Sequence, residues 1–180
     1  SLVRAKEGIS IQINKVSVSK SIINGCSGDM FAYKESTVAQ IPVTEITNST
    51  LIKPQGRIFY AGNAASFSID YCTMYGWGGS KAMLELGDKN TLGMSLAIKN
   101  TILANGGSNR KAHNANAAAN LSLTIEKVYG TNDMTFHSTL GDVTKYDKPS
   151  TEVFENPEEG NFKIIDALFP SSIGDPRWTE

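Results

Sequence analysis

Few side chains in the sequence could perform acid–base or nucleophilic chemistry, and they do not cluster. The two histidines, His113 and His137, lie in an asparagine-rich segment and in a predicted strand, respectively. Cys26 and Cys72 permit one disulfide or a buried free thiol, whereas a zinc site needs about four clustered ligands. We therefore expect no catalytic residue, no metal site and no cofactor.

Short motifs that could mark a nucleophile or a phosphate site lack the required order. The nucleophile-elbow pattern G-x-S-x-G does not occur. The pattern S-x-x-K occurs at Ser17–Lys20 and Ser108–Lys111, but without the S-D-N and K-T-G segments that accompany it in acyl-enzymes. The glycine-rich segment Gly76–Lys81 lacks the G-x-x-x-x-G-K-[ST] order whose amides bind phosphate. These observations predict a protein that is not an enzyme.

Charge is distributed unevenly along a chain whose net charge is only −1. Residues 146–180 carry eight acidic and three basic side chains, a net charge of −5, whereas residues 1–145 carry +4. Four of the six prolines also lie in residues 146–180. We predict a β domain over residues 1–145 and an extended acidic arm over residues 146–180, packed on the same or a neighbouring subunit. The small total charge argues against a nucleic-acid partner, because phosphate contacts need a basic excess.

Apolar and small polar residues alternate over much of the chain, which is typical of strands with one buried face. We read this alternation as a mainly β fold, an antiparallel β-sandwich or barrel, because buried parallel strands are usually apolar on both faces. The predicted strands are Ile9–Ile13, Val38–Ile46, Arg57–Ala61, Phe67–Trp77, Leu92–Ile98 and Leu121–Ile125.

One or two short helices complete the predicted fold. The spacing predicts a helix over Ser80–Leu86, ended by Gly87, and another over Phe162–Leu168. Residues 92–103 also fit a helical spacing, although a strand is favoured there.

Two segments are candidates for contacts between subunits. Ala104–Asn120 has no periodicity and almost no apolar side chain beyond alanine. It is either a mobile surface loop or a segment that orders against a neighbour or a ligand. The arm has apolar side chains that could anchor it on another copy. The candidate contact residues are Asn109, Arg110, Lys111, Phe162, Ile165 and Phe169.

Aromatic side chains recur with a period of two in the predicted strand Phe67–Trp77. If their common face points inward, Tyr71, Tyr75 and Trp77 belong to the core. If it points outward, the same three side chains form a stacking platform for a sugar or a contact for a partner. The core interpretation is favoured, since the opposite face carries serine, aspartate and glycine.

The sequence therefore predicts a structural subunit of a homo-oligomeric assembly, such as a phage tail tube, a surface filament or a shell. Its partners would be copies of itself and other assembly proteins, in a virion or an extracellular surface structure. Membrane insertion is not expected, because the sequence has no run of about 18 apolar residues. The alternative is a carbohydrate-binding or adhesin domain that uses the aromatic strand face.

Overall fold

The computed structural model describes residues 14–33, 43–62, 65–86, 94–114 and 121–179. In these ranges the chain winds into a parallel β-solenoid, in which consecutive coils stack and pair along three sheets. Three full turns contribute a strand to each sheet. Among the described residues, two further coils contribute strands to a five-stranded and a six-stranded sheet, and the six-stranded sheet gains one more strand after the last coil. No helix within the described ranges is long and apolar enough to cross a membrane.

Sheets A and B form two long walls of the solenoid, and every strand pair in them is parallel. Sheet A consists of β1 (Lys15–Ser19), β4 (Val43–Thr47), β7 (Ser66–Asp70), β10 (Met94–Lys99) and β12 (Leu121–Glu126). Sheet B consists of β2 (Ile22–Asn24), β5 (Thr50–Ile52), β8 (Thr73–Tyr75), β11 (Ile102–Ala104), β13 (Tyr129–Gly130) and β14 (Thr144–Lys145).

Sheet C closes the first three coils, and the arm follows the last coil. Sheet C consists of β3 (Phe31–Tyr33), β6 (Phe59–Ala61) and β9 (Leu84–Leu86). The arm contains α1 (Ser150–Val153) and the antiparallel pair β15 (Phe154–Asn156) and β16 (Asn161–Ile164). Short 3-10 helices span Ser138–Leu140, Pro157–Glu159 and Pro176–Trp178.

A ladder of β-branched side chains fixes the register of sheet A. Strand pairing aligns one inward residue from each coil. Three of these side chains are completely buried and the two outermost are partly buried. Because β-branched residues suit the pleated surface of a strand, the stacked rows form a continuous core inside the solenoid. The ladder consists of Val18, Ile46, Ile69, Ile98 and Ile125.

The predicted antiparallel sandwich or barrel is wrong. The chain is mainly β, but its sheets are parallel. Parallel strands that are buried on both faces of a sheet have continuous apolar runs rather than an alternating pattern. In a solenoid each sheet faces one shared interior and leaves its other face outside, so parallel strands alternate as well.

Three local predictions also fail. The run 67–77 is not one strand, because the chain turns at Tyr71 between β7 and β8. Residues 80–86 hold bends followed by β9 rather than a helix. Residues 162–168 continue β16 and then turn. The predicted strand Ile9–Ile13 lies outside the described residues.

The arm packs on the outer face of sheet B of its own chain. The outward side chains of the middle coils are apolar there, and the arm supplies five buried partners. Gly174 permits the closest approach: it has φ +92°, and a Cβ at this position would lie 2.6 Å from Cδ1 of Ile102. The two faces of this second core are formed by Ile52, Tyr75, Ile102 and Ala104 on the solenoid and by Val153, Phe154, Phe162, Phe169 and Ile173 on the arm.

Polar contacts fasten the arm at both ends. Near its start, the backbone N–H of Ser150 donates to Asp133 Oδ2 of the preceding domain at 2.9 Å. Within the arm, Tyr146 Oη donates to Asp166 Oδ2 at 2.6 Å, and Lys148 Nζ lies 2.9 Å from the same oxygen. These two contacts lower the pKa of Asp166 to about 2. Near its end, Trp178 Nε1 donates to Thr50 Oγ1 at 2.7 Å. The arm is therefore held by specific hydrogen bonds as well as by apolar contact.

An arginine connects the first three coils at the beginning of sheet C. Arg57 donates two hydrogen bonds of 2.6 Å to the carboxylate of Asp29 in the preceding coil. It also donates to Glu85 Oε2 in the following coil at 3.2 Å. Asp29 and, less strongly, Glu85 raise the pKa of Arg57. Lys81 Nζ lies 3.9 Å from Glu85 Oε2, so two cations balance two carboxylates, and we interpret this group as a structural connection.

Candidate functional site

Every coil turns from sheet A into sheet B through one residue in the left-handed backbone conformation. Since Thr47 pairs with Asp70 and Asp70 with Lys99, the residues that follow these strand ends lie in adjacent coils. Their side chains therefore form one row along the corner of the solenoid, which we call the corner ridge. It consists of Lys20 (φ 50°), Asn48 (φ 48°), Tyr71 (φ 49°), Asn100 (φ 43°) and Lys127 (φ 52°).

Small residues just after the ridge hold the corner in shape. Ser49 Oγ donates to Thr47 O at 2.7 Å and accepts the backbone N–H of Ser21 in the neighbouring coil at 3.1 Å. Thr101 repeats this pattern, donating to Lys99 O at 2.6 Å. These hydrogen bonds link coil to coil, so the ridge side chains stand on a rigid support.

The equivalent position in the third coil is Cys72, which is completely buried. Its thiol donates to the backbone of the same turn, with Sγ 3.3 Å from Asp70 O. Burial raises the pKa of Cys72 to about 12. Both Cys72 and Cys26 are free thiols, and the Cys72 side chain packs in the core of the solenoid.

Three ridge residues occupy the left-handed conformation against their backbone preference. Asparagine tolerates positive φ, whereas bulkier side chains adopt it rarely and at a cost of about 1 kcal/mol or more. Two coils use asparagine, but the others use Lys20, Tyr71 and Lys127. These three side chains supply charge and an aromatic ring, and 40% of Tyr71 is exposed. Backbone strain that brings such groups to a surface points to binding.

The ridge has the dimensions of an extended ligand. Adjacent parallel strands lie about 4.8 Å apart, so the five ridge positions span roughly 19 Å. Outside the ridge, sheet A presents short side chains such as Ser66 and Ser95, whose hydroxyl groups lie 2.7 Å apart. The longer side chains on this face pair with one another across the coils, Lys15 with Glu45 at 2.8 Å and Lys99 with Glu126 at 3.1 Å.

A cavity of about 260 Å³ opens at the first-coil end of the ridge. It is lined by Lys20 and Asn48 from the ridge and by Asp175, Pro176 and Arg177 from the end of the arm. The Asp175 carboxylate is 2% exposed and already occupied: it accepts hydrogen bonds from the Thr50 hydroxyl at 2.7 Å and from the Arg177 backbone N–H at 3.1 Å. The arm and the solenoid thus build this cavity together.

The structure separates the three aromatic residues that the sequence placed on one face. Tyr71 lies on the ridge and is exposed, whereas Tyr75 and Trp77 are completely buried. Tyr75 lies under the arm, where its hydroxyl donates to Glu158 Oε1 at 2.5 Å. Burial and this contact raise the pKa of Tyr75 to about 12. Trp77 points into the solenoid interior, so only Tyr71 is available to a ligand.

The predicted contact residues near position 110 lie on the third side of the solenoid. Asn109 and Lys111 are exposed. Arg110 forms a bridge with Phe136 and donates to Gly78 O at 2.8 Å, so it supports the fold locally. Of the predicted loop, residues 115–120 lie outside the described residues.

The predicted contact residues of the arm have two different environments. Phe162 and Phe169 are buried against sheet B of the same chain. Ile165 is 53% exposed, and its neighbour Leu168 is 80% exposed. These two side chains are therefore the predicted apolar contact surface of the arm that its own chain leaves exposed.

The histidines belong to local structure. His137 accepts the backbone N–H of Thr139 at its Nδ1 and so caps a 3-10 helix. His113 forms an isolated bridge with Leu84 and contacts Asn114 O at 2.9 Å. Within the described ranges, no three His, Cys, Asp or Glu side chains are grouped to hold a metal ion.

The sequence analysis did not identify Lys20, Asn48 or Arg177. A signal for the first two was present: each follows an alternating apolar run and precedes a serine. No pattern in the sequence indicates that Arg177 lies beside them, because the arm returns to the first coils only in the folded chain.

Comparison with known proteins gives one match. No curated protein and no solved structure matches the chain. A family model described as a domain of unknown function (DUF5123) matches residues 67–178, from β7 to the last turn of the arm. The matched region includes Tyr71 and Arg177 and joins the solenoid to its arm. Since this match covers more than half of the sequence, the chain belongs to the DUF5123 family.

Proposed function

We propose that this protein is a non-catalytic binding domain for an extended polysaccharide, which lies along the corner ridge. The observation that carries the proposal is the exposed ring of Tyr71, held at φ 49° between two asparagine corners. Tyrosine combines an apolar face with a polar hydroxyl, and sugar rings offer C–H groups and hydroxyls to match. The Asn48 amide lies one coil away on one side. On the other side, the Asn100 amide donates to Asp70 Oδ1 at 2.9 Å and supports the corner.

The repeat of the solenoid supports a linear ligand rather than a compact one. Ridge side chains recur at about 4.8 Å, and each corner has the same backbone geometry. A ligand with its own repeat could contact several coils at once, so that weak individual contacts add up.

Tyr71→Asn is the sharpest test of this proposal. Asparagine tolerates the left-handed conformation better than tyrosine, so the melting temperature should stay the same or rise. Loss of the ring should weaken binding on a glycan array and in titration calorimetry by about 3- to 10-fold, the range of an aromatic contact. Tyr71→Phe, which keeps the ring, should retain most of the affinity. Unchanged binding by Tyr71→Asn would contradict the proposal.

A structural subunit of a homo-oligomer is the second candidate, and the exposed side chains of Ile165 and Leu168 favour it. Exposed apolar side chains mark a contact surface where they join into one patch, and these two lie three positions apart in the chain. We expect sedimentation velocity to show self-association that increases with concentration, and Ile165→Ser combined with Leu168→Ser should shift the protein to monomer. A single monomeric species over the whole concentration range would exclude this role for the arm.

A further inference from the structure

We infer that the ligand of the ridge is acidic and that the cavity at its first-coil end binds a carboxylate or sulfate group of the polysaccharide. This inference rests on the proposed function and names the class of its ligand. It is carried by two cationic side chains, Lys20 and Arg177, that reach one cavity from different parts of the chain.

The charges around the cavity favour an anion. Among the residues that the structure describes, Lys20 forms no ion pair. The Arg177 guanidinium lies 3.9 Å from Asp175 Oδ2, a long contact for a bonded pair. Asp175 balances one of the two cations, which leaves a net charge of +1 at the cavity. An anionic group could bind the ammonium of Lys20 and accept a second hydrogen bond from the guanidinium of Arg177.

The polar groups of the cavity match an oxyanion in kind. The Asn48 side chain offers amide donors, Lys20 offers three N–H donors, and Arg177 offers a planar fork suited to carboxylate and sulfate oxygens. The buried Asp175 carboxylate is turned toward Thr50 and the Arg177 backbone. Its hydrogen bonds therefore hold the Arg177 segment in place rather than receive a ligand.

The cavity continues into the ridge, so one molecule can use both. Asn48 lines the cavity and is also next to Tyr71 in the ridge. The two are neighbours because Thr47, which precedes Asn48, pairs with Asp70, which precedes Tyr71. A sugar unit on Tyr71 would place the next unit or two beside Lys20. A polysaccharide with regularly spaced acidic groups would then present one of them to the cavity.

The test compares acidic hexasaccharides with uncharged counterparts. The probes are galacturonic-acid and mannuronic-acid hexamers with their methyl esters, and a sulfated maltohexaose with unsulfated maltohexaose. We expect at least one acidic probe to bind about 10-fold or more tightly than its uncharged counterpart, with an affinity that falls as salt rises. Preference for uronates over the sulfated probe, or the reverse, identifies which oxyanion the cavity takes.

Lys20→Gln and Arg177→Gln should each weaken binding of the acidic probe by about 3- to 10-fold. The affinity for the uncharged counterpart should stay the same. Lys163→Gln is the matched control, because it removes the same charge from the exposed face of β16. Equal binding of charged and uncharged probes, or equal effects of Lys20→Gln and Lys163→Gln, would overturn the inference while the polysaccharide proposal stands. If neither charged nor uncharged probes bind, both proposals fail.

Discussion

Phe162→Ala should lower the free energy of unfolding by about 3–5 kcal/mol, the usual cost of truncating a buried phenylalanine. Phe162 is completely buried between the arm and sheet B. Its ring lies 5.2 Å from Tyr75, 5.5 Å from Phe154 and 5.8 Å from Trp178, measured between ring centroids. Removal of this ring leaves a cavity at the centre of the second core, which the surrounding strands cannot close.

Leu168→Ala is the control for this prediction, because Leu168 belongs to the same arm but is 80% exposed. It should change the free energy of unfolding by less than about 0.5 kcal/mol. Urea denaturation followed by circular dichroism measures both variants. Similar small effects for both would mean that the arm does not stabilise the solenoid, and that its burial contributes little to the fold.

The alternating pattern identified strands but not their arrangement. Residues 94–98 and 121–125 alternate in the sequence and form β10 and β12. Their inward parity is also readable, since Leu96 and Ile98 are completely buried whereas Ser95 is not. The alternation does not determine whether the strands pair in parallel or antiparallel, because one apolar face is compatible with both an antiparallel sheet and a solenoid wall.

A short internal repeat carries the information that the alternation lacks. An inward β-branched residue, an outward polar residue, a left-handed corner residue and, in four of the five coils, a small residue recur in this order. The spacing varies, since Val18 pairs with Ile46 after 28 residues and Ile46 with Ile69 after only 23. Unequal coil lengths hide the repeat from a search at fixed period, although such repeats are the signature of solenoids.

The candidate site depends on contacts that are distant in sequence. Corner residues become neighbours only when the coils stack, and the cavity forms only when the arm returns across sheet B. The charge contrast between residues 1–145 and 146–180 indicated an interaction between the two segments. It did not indicate that Arg177, a basic residue of the acidic arm, would lie beside Lys20.

Ile69→Ala should lower the free energy of unfolding by about 2–5 kcal/mol. Ile69 is completely buried and lies between Ile46 and Ile98 in the ladder, so truncation removes contacts with two coils. Stability in a solenoid is a sum of coil and neighbour-interface contributions, and a central coil has two interfaces. Ile125→Ala, at the partly buried end of the ladder, should therefore cost less.

The matched control for this ladder is Ser68→Ala, because Ser68 precedes Ile69 in β7 and faces outward. It should change the free energy of unfolding by less than about 0.5 kcal/mol. Chemical denaturation of the three variants gives the order Ile69→Ala, Ile125→Ala, Ser68→Ala from most to least destabilised. If Ile69→Ala and Ser68→Ala lowered the free energy of unfolding equally, the result would contradict an interior shared by stacked coils. In such an interior the inward side chains carry the packing, and the outward side chains can be replaced at little loss of stability.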